Sequence, residues 1–275
     1  MNLNLARYFA EAKKLYFSPS QRARVITEKW ARDNLYCPRC GLPLQQYRSN
    51  TKVYDFYCDH SNQEFSLITM PSLDNFQLKG MRSFPHNYYP RRIVGGEYST
   101  TVKSLKKENF PSLILLHYEP KSEEMRDGLF IHRLSVTLES IYPRKPLSRN
   151  ARRKGWQGSI IDLDAIPQVG RVPVIKNSRI IPKNTVLRKW DSVERILQGN
   201  ISQRSWITDI LLIVDRLQDS FSAQEVYAYQ PILEKLHPNN KHIKDKIRQQ
   251  LQLLRDRGYL VFQGNGKYMK LRRND

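Results

Sequence analysis

Residues 201–275 constrain the fold most tightly, because three helical patterns are followed there by a hairpin pattern. The first two lie at 206–217 and 222–236, and Pro231 interrupts the second. The third, "NNKHIKDKIRQQLQLLRDRGYL", places four aliphatic residues on one face at helical spacing. The following "YLVFQGNGKYMKL" alternates on both sides of Gly-Asn-Gly, which is typical of a hairpin. Three helices and a two-stranded wing predict a winged-helix domain over 201–275.

The polar face of the third helix carries side chains of the kind that read DNA. Asn, Gln and Arg can make bidentate contacts to purine edges, and Lys fixes phosphates. An exposed helix can also be rich in such residues for solubility alone, and some winged helices bind proteins. Ten basic residues against three acids after position 238 favour DNA. The predicted DNA-binding residues are Asn239, Asn240, Lys241, Lys244, Arg248, Gln249 and Gln252 on the helix, with Asn265 and Lys267 on the wing.

The region before residue 200 has a different pattern, in which apolar strands alternate with helices. Strand, helix and strand in succession are typical of an α/β fold with a mixed central sheet. We therefore predict an α/β domain over 1–195, ahead of the winged helix. The predicted strands are 52–58, 75–80, 112–118, 128–136 and 170–176, and the predicted helices lie at 20–35, at 97–108 and from residue 184.

The net charge predicts the class of partner. The chain has 46 basic and 26 acidic residues, a formal charge of +20, which favours a polyanion. A basic, solvated surface is the alternative, but clustering argues against it: "RKPLSRNARRK" (144–154) holds six basic residues and no acid. No apolar run approaches the roughly 18 residues of a membrane span, and "MNLNLARYFAEAKK" has no signal-peptide core. Nucleic acid, and not a membrane, is the expected partner.

The three cysteines predict a structural zinc site in a reducing compartment. Cys37 and Cys40 form the knuckle "CPRCG", and Cys58 follows 18 residues after Cys40. A closed site needs four ligands, and Ser61 stands where a fourth cysteine would complete a second Cys-x-x-Cys. A degraded knuckle with three buried thiols is the alternative. The fourth ligand is predicted to be His60, with His86 and Asp59 as more distant options.

Several stretches together resemble the DpnI-like methyl-directed restriction endonucleases. They are "ARVITEKW", "YCPRCG", "DFYCDH", "RKPLSRNARRKGWQGSIIDL", "HIKDKIRQQLQLLRD" and "GNGKYMKL", and they keep their order over nearly the whole chain. The resemblance implies a PD-(D/E)xK nuclease domain with a zinc site, followed by a winged helix. It also implies that both domains recognise N6-methyladenine in GATC and that both strands are cleaved with Mg²⁺.

The same resemblance places the catalytic aspartate on Asp55. A match without a gap puts the glutamate and lysine of the family on Ser66 and Ile68, which would leave the centre inactive. An insertion after the knuckle puts them instead on "FQLK", at Gln77 and Lys79. We favour this second alignment, because the number of residues between the motif at 77–79 and "GGEYSTTVKSL" is then closer to the spacing in the family.

In that alignment the predicted catalytic residues supply oxygen ligands and a cation. Asp55 carries charge, and the Gln77 side-chain carbonyl and the Leu78 backbone carbonyl can bind Mg²⁺. Lys79 would orient the attacking water and stabilise charge on the phosphorane. Glu64 and Glu28 are further candidates for the missing charge, although a position beside the zinc knuckle is the simpler role for Glu64.

Trp156, in "ARRKGWQG", matches a tryptophan that the family places near the methyl groups. A flat indole packs well on an N6-methyl group, but an ordinary core tryptophan is the alternative. The neighbouring Arg149, Arg152 and Arg153 are predicted to contact phosphates or guanine.

Three hypotheses remain. The first is a Mg²⁺-dependent type II endonuclease, a monomer in the prokaryotic cytoplasm, that cleaves adenine-methylated double-stranded DNA. The second is a methyl-DNA reader whose nuclease centre has decayed. The third is an unrelated zinc-ribbon and winged-helix transcription factor, which leaves the strands between 112 and 176 unexplained. Hydrolysis separates the first hypothesis from the others, and methyl dependence separates the second from the third.

Overall fold

The computed structural model describes residues 1–48, 54–71 and 91–271, and a seven-stranded mixed sheet forms the centre of its N-terminal lobe. The third and fourth strands are parallel, and the other neighbours are antiparallel. This confirms the predicted α/β fold class. The strands, in spatial order, are β1 (Gln45–Gln46), β2 (Phe56–Cys58), β3 (Gln63–Pro71), β5 (Ser112–Glu119), β6 (Glu124–Ile131), β9 (Arg171–Lys176) and β10 (Arg179–Ile180).

One face of this sheet is covered by a smaller sheet and a helix. The smaller sheet consists of β4 (Arg92–Glu97), β8 (Gly158–Asp162) and β7 (Ile141–Pro143), in that order. Helix α3 (Tyr98–Lys106) follows β4 directly, and the Glu97 side chain caps it by accepting from the Thr100 amide. Alternate residues of β5 pack against this layer, and the others face the main core, so the strand is buried from Ser112 to Tyr118.

Helices cover the opposite face. Trp30, Phe65 and Trp190 are fully buried there. The second of these helices begins with a proline in its first turn, where a missing amide hydrogen costs little. The helices are α1 (Ala6–Leu15), α2 (Pro19–Asn34) and α4 (Lys183–Leu197).

Two strand predictions need correction, and one lies outside the described residues. The strand predicted at 128–136 stops at Ile131, because the ring of His132 accepts a hydrogen bond from the Leu134 amide and caps a 3₁₀ turn. Strand β3 was not predicted, although it lies between β2 and β5 in the sheet. The strand predicted at 75–80 falls outside the described residues.

The C-terminal region is a winged helix, as the sequence predicts. Its predicted second helix is divided in two, because Pro231 starts a new helix after a break at residues 228–229. The hairpin turns at Asn265 between two glycines, and all three have positive φ. A third strand, not predicted, joins the wing. The elements are α5 (Ile201–Arg216), β11 (Ser220–Ser222), α6 (Ala223–Tyr227), α7 (Gln230–Leu236), α8 (Ile243–Asp256), β12 (Leu260–Gly264) and β13 (Lys267–Lys270).

One hydrophobic core connects the two lobes. The same cluster of buried side chains runs from Leu5 in the first lobe to Tyr268 in the wing. Asp215 on α5 accepts from the Gln168 amide at 2.7 Å and from the Tyr259 hydroxyl at 2.9 Å, so it joins both lobes. The winged helix is therefore packed onto the sheet domain through apolar and polar contacts.

Acidification below about pH 6.5 is expected to destabilise the wild-type protein more than a His132→Asn variant. His132 is 1% exposed, and its ring centroid lies 4.3 Å from that of Trp190. Burial lowers the pKa of His132 below its ordinary value of 6.5. The unfolded chain therefore takes up this proton first as the pH falls, and stability decreases below 6.5. Urea unfolding of both proteins at several pH values between 7.5 and 5 measures the difference.

The asparagine variant is a suitable comparison because its side-chain oxygen can still cap the turn. Burial raises the pKa of Asp209 and Asp215, which would stabilise the fold on acidification, but that contribution is common to both proteins. Equal pH dependence in the two proteins would contradict the prediction.

Candidate functional site

Asp55 lies at the start of β2 and is held by the neighbouring strand. Its amide donates to the Phe65 carbonyl at 2.9 Å. Its Oδ2 accepts from the Leu67 amide at 2.6 Å and from the Ser66 hydroxyl at 3.1 Å. Phe56, the next residue, is buried in the main core, so Asp55 faces the other side of the sheet. The carboxylate is therefore fixed in position on the face that carries β4 and α3.

A cleft of about 720 Å³ opens on this face. Asp55 lines it from one side, and Gly95, Glu97 and Thr100 line it from β4 and α3. Hydrogen bonds from the Thr100 hydroxyl and the Ser99 hydroxyl lower the pKa of Glu97 to about 2, so it is a carboxylate at neutral pH. Arg153 lines the same cleft. Two acids and a guanidinium group can together accommodate a cation and a phosphate.

Glu97 was not among the predicted site residues. The signal that could have found it is the helix-capping pattern "EYST", in which an acid precedes the first turn and a threonine follows three residues later. Glu64, a minor candidate, accepts a hydrogen bond from the Tyr47 hydroxyl at 3.0 Å and lies opposite Tyr57. Glu28 forms an ion pair with Arg24 on α2.

The register of β2 and β3 determines which residues accompany Asp55. Phe56 pairs with Phe65, which places Ser66 beside Asp55 and Ile68 two residues further along the same face. Both residues line the cleft. These are the two positions that the alignment without a gap identifies. The favoured residues Gln77, Leu78 and Lys79 lie outside the described residues, so their placement stays a prediction.

The three cysteines lie together, as predicted. Their sulfur atoms are all within 4.8 Å of one another, and Cys40 Sγ lies 3.5 Å from Cys58 Sγ. Sulfur ligands of a tetrahedral zinc ion, at about 2.3 Å from the metal, lie roughly 3.8 Å apart. The cluster therefore fits zinc. Burial raises the pKa of Cys37 to about 11, so the metal would have to supply the charge that stabilises its thiolate.

His60, the predicted fourth ligand, lies outside this cluster, so its role as a ligand stays a prediction. Among the described residues, the group of potential ligands consists of the three cysteines, and His60 is exposed in the turn after β2. Asp59 instead accepts from the Gln45 amide group at 2.7 Å. Ser61 is the residue whose hydroxyl contacts the cluster, 3.1 Å from Cys37 Sγ. His86 lies outside the described residues.

The basic loop between β7 and β8 is ordered by its own backbone. The Leu147 amide donates to the Trp156 carbonyl at 2.9 Å. The Arg153 guanidinium stacks 5.1 Å from the centroid of the Trp156 ring. Trp156 is half-buried and packs on Gly158, where a Cβ atom would lie 2.9 Å from the indole. Trp156 therefore lies in the loop and outside the two hydrophobic clusters, and Arg149 and Arg152 are exposed beside it.

Helix α8 has the two faces that the sequence predicts. Ile243, Ile247, Leu251 and Leu254 are buried. Asn240 lies just before the helix, and its side chain accepts from the His242 amide at 2.8 Å. Asn239 and Lys241, which were predicted on the helix, also lie before its first residue, Ile243. The exposed residues are Asn239, Lys241, Lys244, Arg248, Gln249 and Gln252, with Asn265 and Lys267 on the wing.

A brace that the sequence analysis missed supports the chain leading into α8. The rings of Trp206 and His237 are stacked, with centroids 3.7 Å apart and an interplanar angle of 14°. His237 Nε2 lies 2.7 Å from Asp209 Oδ2. Trp206 and Asp209 are on α5, so this contact sets the position of residues 237–242 relative to that helix.

A mixed sheet with an acid-bearing cleft, joined to a basic winged helix, is the organisation expected of a DNA-binding protein. The model of the Dam-replacing family named DpnI matches residues 1–199, and the Dam-replacing HTH domain matches residues 202–270. The chain belongs to this Dam-replacing, DpnI-type family. Its membership indicates a nuclease lineage and DNA as the partner. Within the described residues, the helices lack the length and apolarity that a membrane crossing would require.

Lys244→Ala is expected to weaken DNA binding about equally on all sequences, whereas Arg248→Ala should weaken it mainly on the preferred sequence. A lysine on a phosphate contributes through counterion release, so its loss should reduce the slope of log affinity against log salt by about 0.9. Loss of a bidentate base contact should cost about 1–3 kcal/mol at one base pair. Fluorescence anisotropy over a range of salt concentrations tests both changes.

The control is Lys14→Ala, which removes an exposed lysine from α1 in the other lobe. An equal loss with Lys14→Ala would mean that net charge, and not the surface of α8, determines binding. Identical behaviour of the Lys244 and Arg248 variants would contradict the division between phosphate and base contacts.

Proposed function

We propose that this protein is a Mg²⁺-dependent type II restriction endonuclease that cleaves double-stranded DNA containing N6-methyladenine in GATC-like sites. The observation that carries the proposal is Asp55, a fixed carboxylate in a cleft that Arg153 also lines, in a chain of the DpnI-type family. It would act as a monomer in the prokaryotic cytoplasm on adenine-methylated invading DNA.

Each residue has a separate task in this proposal. The Leu67 amide and the Ser66 hydroxyl orient Asp55 toward the cleft, and Arg153 attracts the phosphate. Bound Mg²⁺ would polarise the phosphodiester and the attacking water, with Asp55, the Gln77 carbonyl and the Leu78 carbonyl as ligands. Lys79 would stabilise the negative charge that develops on the phosphate.

Methyl recognition is assigned to both lobes. Trp156 presents a half-buried indole next to the basic residues of its loop, and an indole face packs well on an N6-methyl group but poorly on a bare amine. Helix α8 offers amide and guanidinium side chains for purine edges in the major groove.

A methyl-DNA reader without cleavage is the second candidate, and a specific observation favours it. The strand beside Asp55 carries Ser66 and Ile68, and neither side chain supplies the charge that a metal-dependent hydrolase needs. If this strand is the catalytic strand, it gives Asp55 neither an acidic nor a basic partner, and among the described residues the other charged groups that line the cleft are Glu97 and Arg153. DNA would then be bound at the cleft and remain intact.

The deciding experiment uses adenine-methylated and unmethylated plasmid, each with Mg²⁺ or with EDTA. The wild-type protein is compared in this assay with a Gln77→Glu variant and with a Ser66→Glu/Ile68→Lys double variant. Mg²⁺-dependent cutting of the methylated plasmid alone by the wild type would support the endonuclease. Cutting by the Gln77→Glu variant alone would show that the glutamine is what inactivates the wild-type enzyme. Cutting by the double variant alone would show that β3 is the catalytic strand and that it has lost its catalytic residues. Methyl-dependent gel shifts without cutting by any of the three proteins would support the methyl-DNA reader.

Trp156 is tested in the same assay by two variants. Trp156→Phe keeps an aromatic face and should retain the preference for methylated DNA, whereas Trp156→Ala should lose most of it. Equal preference in both variants would remove Trp156 from methyl recognition.

A further inference from the structure

The Ser61 hydroxyl lies against the cysteine cluster. Its oxygen lies 3.1 Å from Cys37 Sγ. The three sulfur atoms lie within 4.8 Å of one another, so each is close enough to share one ion with the others. The Arg39 guanidinium, in the knuckle between Cys37 and Cys40, donates to the Ser61 carbonyl at 3.4 Å. This contact ties the turn that carries Ser61 to the first pair of cysteines.

The measured distances fit a tetrahedron of three sulfurs and one oxygen. With zinc at about 2.3 Å from sulfur and about 2.1 Å from oxygen, two sulfurs lie roughly 3.8 Å apart and sulfur lies roughly 3.6 Å from oxygen. The observed 3.5 Å between Cys40 Sγ and Cys58 Sγ and 3.1 Å between Cys37 Sγ and Ser61 Oγ are within about half an ångström of these values. The side chains therefore need only small movements to coordinate the ion.

The competing side chains near the turn are directed elsewhere. Asp59 is held by the Gln45 amide group at 2.7 Å, and His60 is exposed and outside the group of ligands that the described residues form. With four cysteine thiolates, the zinc site as a whole would have a net charge of −2. With three thiolates and a neutral alcohol, its net charge is −1. An alcohol is also a weaker donor than a thiolate, because soft sulfur ligands suit zinc.

We propose that Ser61 is the fourth zinc ligand and that this weak corner makes the ion more easily lost than in a four-cysteine site. The proposal concerns metal binding and is independent of whether the protein cleaves DNA. It predicts that Ser61→Cys binds zinc more tightly and that Ser61→Ala binds it at least about 10-fold more weakly, because removal of a group that only hydrogen-bonds a ligand already costs about 10-fold to 100-fold.

The test compares the full chain and three variants purified with zinc: Ser61→Cys, Ser61→Ala and His60→Ala. Zinc content is measured by elemental analysis, and affinity is measured by competition with a chromogenic chelator. Cobalt substitution adds a spectroscopic readout, because the visible bands of a three-sulfur, one-oxygen site change when a fourth sulfur is added. Circular dichroism checks that each variant remains folded.

The expected result is one zinc per wild-type chain, tighter binding and shifted cobalt bands in Ser61→Cys, weaker binding in Ser61→Ala, and no change in His60→Ala. Loss of affinity in His60→Ala with none in Ser61→Ala would overturn the proposal in favour of histidine. Equal affinity in Ser61→Ala and the wild type would also overturn it, because water would then suffice as the fourth ligand. Zinc absent from the wild type and from Ser61→Cys would overturn the proposal, because the cluster would then be three thiols that bind no metal.

Discussion

Replacing Asp55 with asparagine is expected to lower the rate of Mg²⁺-dependent cleavage of methylated DNA by about 10²–10³-fold or more, with little change in affinity. The expected size follows from the loss of a fixed charge at a site where transition-state charge is stabilised. Asparagine keeps a side-chain oxygen that can accept from the Leu67 amide, so the β2–β3 pairing should survive. Single-turnover cleavage of a methylated duplex measures the rate, and gel shifts in EDTA measure binding.

Asp59→Asn is the matched control for this experiment. Asp59 lies four residues away just after β2, is exposed, and is hydrogen-bonded to Gln45 outside the cleft. Its amidation should leave cleavage unchanged. An equal effect of the two substitutions, or loss of DNA binding in Asp55→Asn, would place the role of Asp55 in folding instead of chemistry. If the wild-type protein cleaved no DNA at all, the endonuclease hypothesis would be contradicted and the methyl-DNA reader would be supported.

The winged helix could be predicted from the sequence because its signals are local. The buried positions of α8 recur at helical spacing, and the Gly-Asn-Gly turn requires the positive φ that the structure contains. Strand β11 could not be predicted in the same way. It consists of three residues, and it forms because Phe221 packs beside Tyr268 in the wing, a contact between distant parts of the chain.

The candidate site was predictable only in part, and the reason is again distance along the chain. The cysteines follow from their Cys-x-x-Cys spacing, and Asp55 follows from the family resemblance. His60, the predicted fourth ligand, and Ser61 are adjacent in the sequence, however, and only the turn after β2 determines which of them meets Cys37. Glu97 reaches the cleft of Asp55 through the packing of the smaller sheet on the larger one. Spacing could not give that contact.

The alignment of the catalytic motif is a similar case. The sequence favoured an insertion after the knuckle, on the basis of distance to a later motif. In the structure, β3 pairs with β2 over residues 63–65 and continues without a break as the partner of β5 from Phe65, so Ser66 and Ile68 lie on the strand beside Asp55. The residue spacing thus favours position 77 for the catalytic motif, whereas the strand register favours positions 66 and 68. Variants at both places are therefore the informative ones.

Trp190→Ala is expected to destabilise both lobes together by about 3–5 kcal/mol, the range for loss of a fully buried large aromatic side chain. Trp190 is fully buried on α4, with its ring 6.1 Å from those of Phe65 and Phe130 in the sheet. The same helix packs against α5, and the core that holds Trp190 continues into the winged helix. A cavity at this point should therefore lower the stability of the whole chain in one transition.

Urea unfolding followed by circular dichroism gives the total change, and hydrogen exchange at amides of β5 and α8 reports each lobe separately. Trp156→Ala is the control, because it removes the same side chain from a half-buried position in the β7–β8 loop and should change the free energy of unfolding by less than about 1 kcal/mol. Equal losses of protection in β5 and α8 are expected for Trp190→Ala. If α8 kept its protection while β5 lost it, the lobes would be separate cooperative units, and the shared core would contribute little to holding α8 against the N-terminal lobe.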